Sequence, residues 1–198
     1  MNETLTYYNQ NADAFITGTQ NADMSEQYRF FLKHLTPGSK LLDLGCGSGR
    51  DSAYFSALGF DVTAVDGSEE LCKRVKENHG IDALCLRFED INFQAEFDAI
   101  WACASLLHIK KADMPNIMEK VSASLKPGGI LYASFKYGSG EHISNGRFFN
   151  NYTERDLGSL LTHTSRMTLL ECLITEDVRP EHYGEHWLNL VAKKYDDN

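Results

Sequence analysis

The sequence predicts an α/β protein with a doubly wound, mostly parallel sheet, and the segment 41–66 (LLDLGCGSGRDSAYFSALGFDVTAVD) carries the main evidence. It opens with an apolar run at 41–44 that is too brief for a helix and suits a buried strand. After three glycines at alternate positions, 50–58 has the apolar spacing of a helix that stops at Gly59. A second apolar run at 62–65 ends on Asp66. Strand, glycine turn, helix and strand in this order form half of a nucleotide-binding α/β fold.

The glycine turn, made of Gly45, Gly47 and Gly49, lies between the first strand and the first helix of this unit. Glycine adopts positive φ and lets a ligand approach the backbone closely. A turn that leads into a helix N-terminus is expected to offer free backbone N–H groups to a polar ligand. Asp66, at the tip of the next strand, is placed to accept hydrogen bonds from two ribose hydroxyls. The G-x-G-x-G spacing is one residue shorter than the dinucleotide pattern, so a pyrophosphate is not the expected ligand.

Asp43 before the turn, the G-x-G-x-G spacing and Asp66 after it together resemble motif I and the following acid of class I S-adenosylmethionine-dependent methyltransferases. Four further segments resemble a bacterial small-molecule, tellurite-resistance-like group of that family: WACASLLH, SFKYG, NGRFF and DVRP…WLN. The resemblance runs from about residue 7 to 190. It implies a three-layer fold whose seven-stranded sheet is mostly parallel, with an antiparallel last strand.

We expect one methyltransferase domain over 1–198, with 1–36 as an N-terminal appendage that covers the cofactor and 37–198 as the Rossmann-like core. The composition, 42% hydrophobic and 24% charged, is that of a globular protein. No segment approaches the ~20 apolar residues of a membrane span, and the polar N-terminus does not resemble a signal peptide. The five cysteines are scattered without a C-x-x-C pair. Reduced thiols in the cytoplasm, without a disulfide framework or zinc site, are therefore expected.

The charge pattern argues against two classes of partner. The net charge is −9, and the 19 basic residues form no run longer than two. A nucleic acid or an anionic membrane surface would require clustered Lys and Arg. We therefore expect a small-molecule methyl acceptor, and the sequence leaves open whether the protein is a monomer or a homodimer.

The other elements follow from local patterns. Helices are predicted at 25–35, 68–80, 113–125 and 153–161, and further strands at 83–86, 97–103, 130–135, 167–176 and 187–194. Ser25 and Ser68 are expected N-caps, and Thr153 with Asp156 is an expected capping box. The polar, glycine-rich stretch 137–151 is expected to be a loop.

The resemblance implies that S-adenosyl-L-methionine binds at the carboxyl ends of the parallel strands. Phe88 or Ile91 is expected to pack against the adenine, and Asp90 to accept a hydrogen bond from its amino group. The expected cofactor-binding residues are Asp43, Gly45, Cys46, Gly47, Gly49, Asp66, Gly67, Ser68, Phe88, Glu89, Asp90 and Cys103.

His108 follows the fourth strand, where the methyl group is expected to lie, and a neutral imidazole suits a general base there. Because soft nucleophiles such as thiolates need no base, a role in acceptor contact stays open. The expected acceptor-binding residues are Tyr8, Lys136, Tyr137, Arg147, Arg179 and Trp187. Although His182 and His186 are four apart, Pro180 and Gly184 favour a loop, so no metal is expected.

The sequence thus predicts an enzyme, an S-adenosylmethionine-dependent methyltransferase that acts on a small molecule and releases S-adenosylhomocysteine. A methyltransferase for protein side chains stays open, because an acidic surface permits it. A non-catalytic, cofactor-binding regulatory module also stays open, although the many polar residues on the predicted active-face loops weigh against it. A nicotinamide dehydrogenase is disfavoured by the shortened glycine turn.

Overall fold

The computed structural model describes residues 3–164 and 166–195. The helices are α1 (Glu3–Gln10), α2 (Ala12–Thr19), α3 (Ser25–Leu32), α4 (Arg50–Ala57), α5 (Glu69–His79), α6 (Met114–Ser124) and α7 (Glu154–Thr164). The strands are β1 (Lys40–Leu44), β2 (Asp61–Asp66), β3 (Leu84–Cys85), β4 (Phe97–Ala102), β5 (Leu125–Lys136), β6 (Gly140–Ser144), β7 (Arg147–Asn151), β8 (Met167–Glu176) and β9 (His186–Lys194).

The main sheet has seven strands in the order β3-β2-β1-β4-β5-β9-β8. Strands β1 to β5 pair in parallel, whereas β9 runs antiparallel to both β5 and β8. The predicted seven-stranded sheet with an antiparallel last strand is therefore confirmed. Strand order reverses between β1 and β4, and in open α/β sheets ligands bind outside the carboxyl ends of the strands at such a point.

Helices cover both faces of the sheet, which gives the three layers. Leu41 and Leu42 are adjacent and fully buried, yet they belong to separate hydrophobic clusters because successive strand residues face opposite sides. Leu42 packs in the cluster that includes side chains of α6 and α7. Leu41 packs in the cluster of α3 and α4, where Trp101 stacks on Tyr132 with ring centroids 3.9 Å apart.

The predicted caps have mixed outcomes. Ser68 caps α5 by accepting a hydrogen bond from the N–H of Leu71. Thr153 and Asp156 form the predicted capping box, in which each side chain accepts a hydrogen bond from the other residue's N–H. The Ser25 prediction is wrong, because Met24 is the N-cap of α3 and the Ser25 hydroxyl instead donates to Asp23.

The stretch 137–151 was predicted as a loop, and this is wrong, because most of it forms the hairpin β6–β7. The turn between the strands consists of Asn145 and Gly146, whose φ angles are +49° and +75°. Asn-Gly with positive φ at both positions is the preferred two-residue hairpin turn. The hairpin places Arg147 and Phe149 on a strand beside the sheet's carboxyl edge.

All five cysteines are free thiols. Across the described ranges, every helix is too short or too polar to cross a bilayer.

Candidate active site

A cavity of about 720 Å³ opens at the carboxyl ends of β1, β2 and β4. Its volume lies within the range of small-molecule sites, roughly 300–1,000 Å³. The wall combines the glycine turn, the tips of β2 and β4, helix α1, the hairpin β6–β7 and the segment before β9. The predicted site residues in this wall are Tyr8, Gly45, Cys46, Gly47, Asp66, Gly67, Phe88, Glu89, Cys103, His108, Lys136, Tyr137, Arg147, Arg179 and Trp187.

The remaining predicted site residues, Asp43, Gly49, Ser68 and Asp90, do not line the cavity. Asp43 is buried beneath the turn, where the Ser52 hydroxyl donates to it at 2.5 Å. Burial, together with the nearby negative charge of Asp51, raises the pKa of Asp43 to about 8.

The positions of the other three residues outside the cavity wall have equally local causes. Gly49 makes room for α5, since a Cβ there would lie 2.9 Å from the His79 ring. Ser68 is fully buried, and its hydroxyl is used as the cap of α5. Asp90 is exposed, and its neighbour Glu89 lies in the cavity wall instead.

The glycine turn is held by hydrogen bonds from its N–H groups to the end of β2. The N–H groups of Gly45 and Cys46 donate to the Val65 carbonyl at 2.8 and 2.9 Å, and that of Gly47 donates to the Asp66 carboxylate at 2.9 Å. Three of the N–H groups that the sequence predicted to be free are therefore already bonded to β2. A turn with these three donors occupied is poorly equipped to bind a diphosphate.

Position 45 requires glycine for a steric reason as well as a conformational one. Its φ is +83°, and a Cβ there would lie 2.4 Å from the Cβ of Ser105. Ser105 follows β4, and its hydroxyl donates to the Leu44 carbonyl at 2.6 Å. The turn after β1 and the segment after β4 are thus packed directly against each other, which closes one wall of the cavity.

Asp66 is anchored at the tip of β2 with 9% of its surface exposed. Its carboxylate accepts hydrogen bonds from the N–H groups of Gly47 and Ser68, both at 2.9 Å. Burial raises the pKa of Asp66, and these backbone hydrogen bonds oppose the rise. Each carboxylate oxygen has a second lone pair, so Asp66 can still accept hydrogen bonds from a ligand in the cavity.

His108 is fixed between two hydrogen-bond partners. Its Nδ1 lies 2.6 Å from the Phe148 carbonyl and its Nε2 lies 2.9 Å from the Tyr8 hydroxyl. A carbonyl only accepts, so Nδ1 carries the proton and Nε2 accepts from Tyr8. Burial lowers the pKa of His108 to about 4, so the ring is neutral near pH 7.

The two N-terminal helices lie across the glycine turn and the tip of β2. A Cβ on Gly47 would lie 3.1 Å from the Phe15 ring, and one on Gly67 would lie 2.9 Å from Leu5. Tyr8 packs edge-to-face on Phe15, with ring centroids 5.1 Å apart. These contacts place α1 and α2 over the lip of the cavity, and their role in covering a cofactor stays a prediction.

Sequence reasoning missed the Arg50–Asp51 pair, which also lines the cavity. The Arg50 guanidinium donates to the Asp51 carboxylate, which further accepts from the Tyr28 hydroxyl at 2.5 Å and from the Trp101 indole at 2.8 Å. Their position in the first turn of α4, directly after the glycine turn, could have indicated from the sequence that they line the cavity.

The segment before β9 contributes charged side chains to the cavity wall, and these side chains already form ion pairs. Arg179 binds Asp177 through two nitrogens, at 2.9 and 2.7 Å, and the Trp187 indole donates to the same carboxylate at 2.9 Å. Burial of Asp177 acts to raise its pKa, but the hydrogen bonds from Arg179 and Trp187 outweigh it and lower the pKa to about 2. Lys136 forms an ion pair with Glu185 on the same rim.

Residues 41–129 match the family described as a methyltransferase domain. The chain resembles methyltransferases over this segment, which contains the glycine turn and Asp66. It is 35% identical over 102 residues to the ubiquinone biosynthesis O-methyltransferase of Nitrobacter winogradskyi, a match that covers 49% of this chain and 38% of that protein. It is 33% identical over 95 residues to the probable S-adenosyl-L-methionine-dependent methyltransferase TehB of Haemophilus influenzae, covering 46% of this chain and 33% of TehB. The chain thus matches well under two thirds of either relative.

Among solved structures, the fold is similar to Burkholderia thailandensis 1,6-didemethyltoxoflavin-N1-methyltransferase with bound 1,6-didemethyltoxoflavin and S-adenosylhomocysteine. The TM-score is 0.78 at 24% identity, over 97% of this chain and 85% of that one. This likeness supports the class I fold.

One group of side chains in this protein has the residue types of a metal site. The ligand atoms of Asp177, His182 and Glu185 lie within 4.8 Å of one another. However, Asp177 is bound by Arg179, and Glu185 contacts both Lys136 and His182. Since cations already neutralise both carboxylates, we expect no metal ion there, as the sequence predicted.

Proposed function

We propose that the protein is a cytoplasmic, metal-independent methyltransferase that uses S-adenosyl-L-methionine to methylate a small-molecule acceptor. The observation that carries this proposal is the glycine turn beside Asp66. The N–H groups of Gly45, Cys46 and Gly47 are bonded to β2, which disfavours a diphosphate, while Asp66 retains acceptor capacity for ribose hydroxyls. An adenosine ligand without phosphate fits that combination better than a dinucleotide does.

The cavity wall suggests which residues hold each part of the cofactor. Asp66 and Gly67 would hold the ribose, and Phe88 with Glu89 would contact the adenine. The backbone of Gly45–Gly47 and the side chain of Cys103 would lie along the methionine portion. When bound, the cofactor supplies an electrophilic sulfonium methyl group.

The Tyr8–His108 pair provides a proton acceptor for substrates that must be deprotonated. Nε2 of His108 is unprotonated and receives the Tyr8 hydroxyl proton in a hydrogen bond. An acceptor group that donates to the Tyr8 oxygen can pass its proton through that hydroxyl to Nε2. Positioned acid–base groups of this kind contribute about 10²–10⁴-fold to rate.

Calorimetric titration with S-adenosylhomocysteine and, separately, with NAD tests the cofactor. We expect binding of S-adenosylhomocysteine in the micromolar range and none of NAD, and the opposite result would overturn the proposal. Formation of S-adenosylhomocysteine is then measured against a low-molecular-weight metabolite fraction and against a protein fraction. Turnover confined to the protein fraction would point to a protein methyltransferase, and turnover with neither would point to a regulatory module.

A further inference from the structure

Arg147 is the cation of the cavity wall that lacks an acidic partner within the described ranges. It begins β7 and lines the cavity. The other arginines and the lysine of the wall form ion pairs, namely Arg50–Asp51, Arg87–Glu89, Lys136–Glu185 and Arg179–Asp177. Of the arginines and lysines in the wall, Arg147 therefore carries the unpaired positive charge, and the carboxylates of Asp66 and Glu176 in the same wall also form no ion pair among the described residues.

Two aromatic rings stabilise the charge of Arg147 without replacing its hydrogen bonds. The guanidinium carbon lies 4.7 Å from the ring centroid of Tyr7 and 5.2 Å from that of Phe149. Ring faces attract a cation, yet the Arg147 Nε is buried and has no hydrogen-bond partner. A buried donor without an acceptor is unfavourable, so the protein does not satisfy all the donors of this guanidinium, which lines the cavity.

Arg147 is also close to the groups placed at the reaction. Burial raises the pKa of Tyr8, and the positive charge of Arg147 and a hydrogen bond from its side chain to Tyr8 oppose that rise. Burial lowers the pKa of His108, and the same charge lowers it further. An anion bound to Arg147 would therefore lie beside the Tyr8–His108 pair.

We propose that the methyl acceptor carries a carboxylate and that Arg147 binds it. The proposal rests on the proposed function, because it names the acceptor class of the same site. A guanidinium matches a carboxylate through paired N–H···O bonds. One unmatched cation suits a monoanion, whereas a phosphate dianion would call for a second free cation. The ring of Phe149, which lines the cavity, suits an apolar body next to the carboxylate.

To test whether Arg147 binds a carboxylate, the affinities of carboxylic acids and of their matched amides are compared on the full chain saturated with S-adenosylhomocysteine. The pairs are benzoate and benzamide, phenylacetate and phenylacetamide, indole-3-acetate and indole-3-acetamide, and octanoate and octanamide. By ligand-observed NMR and calorimetry, we expect at least one acid to bind at least about ten-fold more tightly than its amide. We expect Arg147→Met to abolish that preference. Arg155→Met, which removes an exposed arginine of α7 outside the cavity wall, should retain it.

Other outcomes would overturn the inference. These are an equal affinity for acids and amides, no binding by any acid at millimolar concentration, or an acid preference that survives Arg147→Met. Inorganic phosphate that displaces every acid would indicate a phosphorylated acceptor instead.

Thermal unfolding of Arg147→Met separates ligand recognition from a structural role. Because the Nε is unsatisfied, we expect the midpoint not to fall, whereas a large fall would assign Arg147 to structure. Loss of S-adenosylhomocysteine binding by the wild-type chain would contradict the proposed function itself. Binding of that compound without an acid preference would contradict only the carboxylate inference.

Discussion

The Tyr8 hydroxyl lies 2.9 Å from Nε2 of His108, although the two residues are 100 positions apart in the chain. This contact joins helix α1 to the segment after β4. The Phe148 carbonyl, from the hairpin, fixes the proton on the other ring nitrogen. Three separate parts of the chain therefore determine which atom of His108 can accept a proton.

Tyr8→Phe removes the hydroxyl and leaves the ring. If Tyr8 relays a proton to His108, turnover should fall by about 10- to 100-fold, toward the lower end of the range for acid–base groups. Affinity for S-adenosylhomocysteine should change little. Steady-state kinetics and calorimetry measure the two effects. Tyr7→Phe is the matched control, since Tyr7 is adjacent on α1 and lies outside the cavity wall; equal losses in the two variants would contradict the relay.

His108 should set an unusual pH dependence of activity. Its pKa is about 4 in the folded protein, whereas an unperturbed histidine titrates near 6.5. If Nε2 is the base, kcat/KM should stay high down to about pH 5 and fall as the pH approaches 4. An acid limb near pH 6.5 that His108→Gln leaves in place would assign the base to another group.

The same shift predicts how stability depends on pH. Between pH 6.5 and 4 the unfolded chain protonates His108 while the folded chain does not, so the free energy of unfolding falls as the pH is lowered through this window. The effect is about 3 kcal/mol and levels off below pH 4. Urea unfolding of wild type and His108→Gln at several pH values isolates it, because the variant should lack this component.

Asp66→Ala should weaken binding of S-adenosylhomocysteine by more than about 1.5 kcal/mol, because charge-assisted hydrogen bonds to the ribose are lost. Asp66 also holds the N–H groups of Gly47 and Ser68, so some loss could arise from a loosened turn. An analogue lacking the 2′- and 3′-hydroxyls distinguishes the two causes. Wild type should bind it less tightly than the natural compound, and Asp66→Ala should not discriminate; unchanged affinity in the variant would remove Asp66 from the site.

Gly45→Ala and Gly59→Ala separate backbone strain from steric overlap. Both glycines have φ near the same positive value, +83° and +88°, but a Cβ on Gly59 meets nothing within 4 Å. Strain alone should cost about 1–2 kcal/mol at either site. At Gly45 the overlap with Ser105 should add about 1–3 kcal/mol. Urea unfolding measures the free energy of unfolding of both variants. Equal losses of stability would show that the turn shifts enough to accommodate the added methyl group.

Local patterns predicted the parts of the fold whose causes are local. The strand, glycine turn, helix and acid at 41–66 are all present because each depends on neighbouring residues. The cap at Ser68 is present for the same reason. The hairpin was missed although its signal, Asn145–Gly146 between two short runs, is local too. The charged and glycine-rich surroundings of that dipeptide resembled a loop.

Side-chain direction could not be read from the sequence. Asp90 and Glu89 are adjacent acids after β3, and only the short 3₁₀ turn at Phe88–Asp90 decides which of them lines the cavity. Asp43 looked like part of the ligand contact, but strand alternation points it beneath the turn toward Ser52. The Tyr8–His108 contact depends on tertiary packing across the whole chain.

The placement of α1 has a kinetic consequence. Leu5 covers Gly67 and Tyr8 reaches His108 from the same helix. If α1 moves outward to admit or release the nucleoside, the hydrogen bond between the Tyr8 hydroxyl and Nε2 of His108 must break as well. We therefore expect a compulsory order, in which the methyl donor enters first, the acceptor second, and the spent nucleoside departs last.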